Sequence, residues 1–182
     1  MTYQLSDLQT KGAVLKTAPV VKTKDDSVKL WKYLTDGGIN FVASDHAPCQ
    51  PKEKETNSTW TDYNGISGTE LLFPYMLSEG YSRGLLTLAR LIEVTSSDAA
   101  KRFGLYPRKG AIAVDTDADF VFVDPKAKWT VKGENFGSKS KLTPFEGRGF
   151  TGKVIKTMCR GSIVYEDGKG VVVAPGFGRF VR

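Results

Sequence analysis

Between Asp25 and Asp36, apolar residues recur at Val28, Trp31 and Leu34, a spacing that places them on one face of a helix. Asp25 and Asp26 stand at its start, where carboxylates favour the positive end of the helix dipole, and Gly37-Gly38 supply its stop. The pattern then changes. Ile39, Phe41, Val42 and Ala43 form a short apolar run that predicts a buried strand over 39–43. Helical spacing resumes after Gly68 through Leu71, Leu72, Tyr75 and Met76, with Pro74 expected to kink or delay the helix. Apolar positions 85, 88, 91 and 92 predict a second helix over Leu85–Val94. Ser96 or Ser97 can cap a third, Asp98–Phe103, which Gly104 stops.

Beyond Tyr106-Pro107 the texture is that of strands and turns. Asp119–Val123 alternates weakly and is expected to end at Asp124-Pro125, while Val154–Met158 and Ser162–Tyr165 flank Arg160-Gly161 as a hairpin or bulge. Val171–Val173 is a further short apolar run. Lys126–Gly152 is rich in Gly, Lys, Ser and Thr, offers few core candidates and reads as a long excursion. Pro51–Asn64 is charged and polar and reads as a long surface loop, either mobile or a lid. Residues 1–24 are expected to be mostly loop, with a short helical turn at Ser6-Asp7-Leu8 and an extended segment at Ala18-Pro19. The opening MTYQLSDLQTKG is polar and reads as entry into a domain already under way. No internal repeat is evident.

Asp45 and His46 follow the 39–43 run directly, and Ala47-Pro48 stops it. A carboxylate and an imidazole at the carboxyl end of a buried strand are where β/α barrels and open α/β sheets place their chemistry. On residues alone the alternative stands beside it: an Asp that caps the turn and a His satisfied by backbone. Asn64-Gly65-Ile66-Ser67-Gly68 is the second candidate. It is either a glycine-rich loop that lets backbone approach a ligand or a turn that starts the next helix. Cys49 reads either as a small buried apolar residue or, less well, as a thiol near His46.

Composition bounds these readings. With 182 residues, 40% of them hydrophobic, the chain can bury one core, or one core and a small satellite. A complete β/α barrel takes about 250 residues, so a whole barrel plus an appendage does not fit. The 26 basic residues are scattered among 20 acidic ones without a basic block interleaved with aromatics, so nucleic acid is not an expected partner. Two cysteines without metal-type spacing suit a reducing cytoplasm. No signal peptide is seen, and no apolar run approaches the roughly 20 residues that span a bilayer, so no membrane partner is expected.

Taken in order, SDHAP, then Gly65-Ile66-Ser67-Gly68-Thr69-Glu70, FGLYPRKGAIAVDTDADFVFVDP at Phe103–Pro125 and TPFEGRGFTGKVIKTMCRGSIVYEDG at Thr143–Gly168 resemble the cyclic amidohydrolases. These comprise dihydropyrimidinase/hydantoinase, allantoinase and class I dihydroorotase. The resemblance implies an α/β fold: the C-terminal part of a (β/α)8 TIM-type barrel over residues 1–105, then part of a small β-sandwich over 106–182. It implies that Asp45 binds the metal, zinc or a similar divalent ion, and acts as general acid/base. It further implies that Asn64, Gly65, Ser67 and Gly68 present groups to a cyclic amide or ureide.

The family draws a His-x-His pair from its first strand, a carboxylated Lys from the fourth and a His each from the fifth and sixth. His46 is the sole histidine here, and by analogy supports the loop, so the resemblance implies an incomplete site and an inactive chain in isolation. Where the family has a ligating His before its PPxR-like segment, this chain has Thr2. Either the ligand is lost or the natural chain was cut there. Cys49 is similar to the SDHSPC of allantoinases, whereas dihydroorotases read DHAPH; FGLYPRKG is closest to hydantoinases and dihydropyrimidinases. Lys109 and Arg108 are expected to be solvated, Trp31 to be core, and Trp60 is a pocket-lining alternative that the sequence does not favour. Uncovered barrel faces imply self-association or a partner chain. Two rivals stand beside the enzyme. One is a non-catalytic dihydropyrimidinase-like assembly or interaction subunit; the other is a soluble α/β binding domain with only structural resemblance. An upstream segment bearing the His-x-His pair would separate them.

Overall fold

Thr23 sets the start of the first long helix. In the computed structural model, which describes residues 2–181, a turn Leu5–Asp7 leads into α1 (Leu8–Lys11), and α2 follows at Lys24–Thr35. The Thr23 hydroxyl accepts from the Asp26 N–H at 3.3 Å, and the Asp26 carboxylate accepts from the Thr23 N–H at 3.0 Å. This reciprocal box satisfies two N–H groups that a helix start leaves open. Leu34 is fully buried on the inner face of α2, and Trp31 packs against the same core, as its spacing predicts.

The strand expected over 39–43 is not formed among the described residues: the segment runs as irregular backbone. Ile39 and Val42 still pack on the core, and the Val42 N–H bonds the Val94 carbonyl at 2.9 Å. An apolar run reports burial, whereas a strand also needs a neighbour to pair with. The pairing near here is a single parallel bridge between His46 and Ile66.

Two further helices complete this side. α3 spans 72–81, with an α-helical turn Leu72–Tyr75 that widens into π-helical Met76–Tyr81. Pro74 falls in its first turn, where the missing N–H breaks no bond. α4 spans 88–102 without the expected break at Ser96-Ser97. Thr87 caps it through a 3.1 Å bond from the Arg90 N–H, Ser97 makes no side-chain cap bond, and the chain stays helical through π-helical Glu93–Ser97. A serine caps only where the backbone leaves the helix, and here the buried Leu91 and Val94 hold it in. Leu34, Met76, Leu77, Leu86, Leu91 and Val94 form one cluster. Arg90 reaches across it: Nε donates to the Leu34 carbonyl at 2.9 Å and Nη2 to the Ile39 carbonyl at 2.5 Å, so one guanidinium ties α2 to the segment that carries Asp45.

Residues 120–171 form a four-stranded antiparallel sheet in the order β1 (Phe120–Thr130), β2 (Gly149–Cys159), β3 (Ser162–Glu166), β4 (Gly170–Val171). Arg160 and Gly161 both take positive φ, 49° and 79°, as the hairpin expectation requires. Asp124-Pro125 does not end β1. The Asp124 carboxylate accepts from the Lys126 and Ala127 N–H groups, Pro125 sits in the resulting bulge, and pairing resumes at Lys128 opposite Thr151.

The 126–152 stretch is likewise no coreless excursion. Val131, Phe136 and Phe150 are buried with Leu71 in a second cluster, against which Trp129 and Phe145 pack. Widely spaced aromatics among Gly and Lys show no period, which hid this core from the sequence. Lys109 is not simply solvated either. Its ammonium lies between the carboxylates of Asp117 and Asp119, and Arg108 pairs with Asp117 at 3.1 Å.

The sheet meets the helices where Gly152 faces Leu77. Gly152 has φ +89°, and an added Cβ would lie 2.6 Å from Leu77 Cδ2. Gly161 has φ +79° and nothing within 4 Å. Urea unfolding is therefore expected to show a loss of about 1 kcal/mol for Gly161→Ala, from the left-handed backbone alone. Gly152→Ala should lose about 3 kcal/mol, because overpacking adds to that strain. Equal losses would show that the Leu77 contact does not confine the backbone.

Candidate functional site

The site forms where residues 44–47 and 65–68 run side by side. The Ala47 N–H bonds the Ile66 carbonyl at 3.1 Å, and the two segments lie too close for a side chain between them. A Cβ on Gly65 would sit 2.5 Å from the Ala47 carbonyl oxygen, and one on Gly68 would sit 2.8 Å from that of Ser44. Glycine is required at both positions by contact rather than by φ. Asp45, between them, adopts the left-handed conformation with φ 45°, a region that Asp tolerates better than most residues.

His46 pins the seam from one end. Its Nδ1 accepts from the N–H of Gly68 at 3.0 Å and of Thr69 at 3.2 Å. A nitrogen that accepts carries no proton, so the ring N–H resides on Nε2. The imidazole thereby holds the turn that leads into α3. The supporting role that analogy gave His46 matches this geometry, and so does the alternative of a His satisfied by backbone.

Between the seam and its neighbours lies a cleft of about 370 Å³. Asp45, Asn64, Gly65, Ser67 and Gly68 all line it, so five residues singled out in the sequence meet at one place. The Ser67 hydroxyl is buried with no hydrogen-bond partner, which leaves a donor and an acceptor open beside the cleft. Thr17 and Ala18 form another wall, and Leu71, Leu72, Tyr75 and Phe145 make an apolar side. Burial pushes the Tyr75 hydroxyl pKa up, so Tyr75 contributes a neutral ring.

Other candidates fall away from this place. Trp60 is 95% exposed and does not line the cleft, nor does Thr2. Cys49 is buried, and burial pushes its thiol up, away from the thiolate that nucleophilic attack needs. Sequence reasoning missed Thr17, Ala18, Tyr75 and Phe145. Phe145 lies inside the TPFEG motif but arrives from the far side of β1, and no local pattern reports that return.

The divalent ion implied by the resemblance can be tested against these donors. Among the described residues no group of three or more His, Cys, Asp or Glu side chains is placed to hold a metal. Asp45 is the carboxylate on the cleft, and His46 Nδ1 is already committed to two amides. The described residues do not make a zinc site by themselves.

A profile of the Amidohydrolase family matches residues 8–164. The chain is 39% identical over 177 residues to an L-hydantoinase of Paenarthrobacter aurescens, covering 96% of this chain and 38% of that protein. It is 38% identical over 171 residues to an allantoinase of Rubrobacter xylanophilus, covering 94% and 37%. The solved L-hydantoinase (dihydropyrimidinase) from Arthrobacter aurescens superposes with a TM-score of 0.90 at 36% identity, over 93% of this chain and 38% of that one. A D-hydantoinase structure gives 0.92 at 30% identity, over 99% and 40%. The chain therefore spans well under half the length of these relatives.

The seam carries its own test. Gly65→Ala presses a methyl group on backbone that cannot rotate away, so a loss of about 2–3 kcal/mol is expected on denaturant unfolding. Gly149→Ala, with nothing within 4 Å of the added Cβ, should change stability by less than about 1 kcal/mol. A neutral Gly65→Ala would mean that the two segments are not held in contact.

Proposed function

Because the chain belongs to the amidohydrolase family, we propose that it supplies one wall of an active site that hydrolyses a C–N bond in a cyclic amide or ureide. The observation that carries this reading is that the Asp45 carboxylate and the glycine seam share one cleft. The ring is of the hydantoin, dihydropyrimidine or allantoin type, in keeping with the names of the relatives. Backbone groups at Gly65 and Gly68 and the Asn64 amide are suited to its carbonyl and N–H edges, with Ser67 buried in the wall behind them. The apolar side formed by Leu71, Leu72, Tyr75 and Phe145 takes its carbon face.

In this reading Asp45 takes a proton from the attacking water and returns it to the leaving nitrogen. Asp45 would be this chain's ligand to a zinc or similar divalent ion, which would supply Lewis-acid activation of the water, with further ligands required from outside the described residues. Residues 1–105 form the closing part of a β/α barrel and 106–182 part of a small β-sandwich. The barrel is completed by another segment or a second chain. Val28, Tyr33, Leu88 and Ile92 on the helices and Leu85 in the turn before Leu88 leave apolar surface exposed where that covering would seat. A cytoplasmic setting suits two free cysteines, and no helix among the described residues is long and apolar enough to cross a membrane.

Asp45→Asn in the assembled enzyme is the test. The amide is nearly isosteric but does not accept the proton, so ring opening should slow by about 10²–10⁴-fold. Unfolding should shift by less than about 1 kcal/mol, because an exposed carboxylate supports few core contacts. A fully active Asp45→Asn enzyme would remove Asp45 from the site. Absence of ring hydrolysis in the unmodified assembly would favour the assembly-subunit reading instead.

A further inference from the structure

Lys54 stands in the most polar stretch of the chain, yet it is only 6% exposed. Its ammonium donates to the main-chain carbonyls of Ala13 at 2.8 Å and Lys16 at 3.1 Å. The titratable groups around it are Cys49, Lys16 and Asp62, and burial outweighs them in pushing the Lys54 pKa down. A buried ammonium is costly, and an apolar side chain of the same length would fill the space at less cost. What the charge adds is direction: it grips two specific carbonyls.

Those carbonyls belong to a network that reaches the cleft. The Lys16 carbonyl also accepts from the Gly65 N–H at 3.1 Å, so one oxygen gathers the Lys54 ammonium and the backbone of the seam. The Lys16 ammonium reaches back to the Asp62 carbonyl. The Asp62 carboxylate closes on the Thr56 N–H and hydroxyl at 3.0 and 2.8 Å, and the Tyr63 N–H bonds the Glu53 carbonyl at 2.8 Å. The loop 50–64 is thus folded on itself and strapped to residues 13–16. The residues that follow each side of the strap, Thr17-Ala18 and Asn64-Gly65, line the cleft.

We infer that Lys54 is a positioning residue whose ammonium fixes the distance between the 17–18 wall and the 64–68 wall, and so sets how tightly the cleft holds its ring. The inference rests on the function proposed above for what enters the cleft, but the strap itself is independent of it. Lys54 touches no reacting atom in this scheme. Its loss should weaken ground-state binding far more than it slows the chemical step.

The experiment compares Lys54→Met, which keeps the apolar stem, with Lys54→Arg, which keeps a charged donor, in the intact metal-loaded enzyme. Two measurements are made: amide hydrogen exchange along the chain, and ring-opening kinetics with hydantoin. For Lys54→Met, exchange over 50–68 should rise by about tenfold or more, the scale set by losing charge-assisted hydrogen bonds, while β1 and β2 keep their rates. KM should rise about tenfold, with kcat held within about threefold. Lys54→Arg should restore both. If Lys54→Met does not fold, Lys54→Gln takes its place with the same expectations.

Unchanged exchange and KM would overturn the inference. So would a uniform rise that includes the sheet with KM unmoved, which marks Lys54 as a general fold contact. If the unmodified enzyme opens no ring, the function proposed above fails, and the exchange pattern over 17–18 and 64–68 alone decides whether the strap positions the walls.

Discussion

A methyl group on Gly65 would lie 2.5 Å from the Ala47 carbonyl oxygen, and this close contact is the constraint on which the cleft depends. Two backbone segments lie against each other with no side chain between them. One is a run that packs on the core; the other is a turn that starts α3. Their contact places Asp45 beside the 64–68 backbone, and the His46 ring bridges both by accepting from the Gly68 and Thr69 amides. The seam is short, so a few hydrogen bonds must carry it. Each contributes only about 1 kcal/mol net, and the surrounding packing must supply the rest of the rigidity.

That packing comes from two clusters joined at α3. The helix side buries Leu34, Met76, Leu77, Leu91 and Val94, and the sheet side buries Val131, Phe136 and Phe150 against Leu71. Polar contacts cross the same junction. The Ser78 hydroxyl accepts from the Thr151 N–H at 3.0 Å, and Arg148 pairs with the buried Glu79 at 3.0 Å. Glu79 is stabilised by a guanidinium rather than left alone, as a buried carboxylate must be. Glu70, next to the seam, accepts from the Gly137 and Ser138 N–H groups at 3.0 Å each and ties the return loop of the sheet to the start of α3. Phe145 reaches the cleft through this connection. The wall it provides is a product of two elements far apart in the chain.

How much of this was legible in the sequence follows from the range of each interaction. On α2, Trp31 and Leu34 face the core as their spacing predicts while Val28 stays exposed; the Arg160-Gly161 hairpin and the glycine-rich turn at 64–68 are equally local signals and form where the sequence puts them. Asp45, Asn64, Gly65, Ser67 and Gly68 were gathered by resemblance, and they share a cleft. The strand over 39–43 failed because pairing is decided by neighbours that a local pattern does not contain. The core within 126–152 failed because Val131, Phe136 and Phe150 follow no period. Lys54 gave no signal at all: a lysine between Glu53 and Glu55 reads as solvated, and only the return of residues 13–16 past it makes it buried.

The seam is most directly tested on the imidazole, and the chain's single histidine makes its spectrum unambiguous. Heteronuclear NMR of the ring nitrogens should show the neutral His46 ring as the Nε2–H tautomer, with Nδ1 coupled to the Gly68 amide. The Gly68 and Thr69 amide shifts should move together when acid protonates the ring, since Nδ1 then stops accepting. A neutral ring that carries its proton on Nδ1, or Gly68 and Thr69 amides indifferent to ring protonation, would contradict the placement of the 64–68 turn against Asp45.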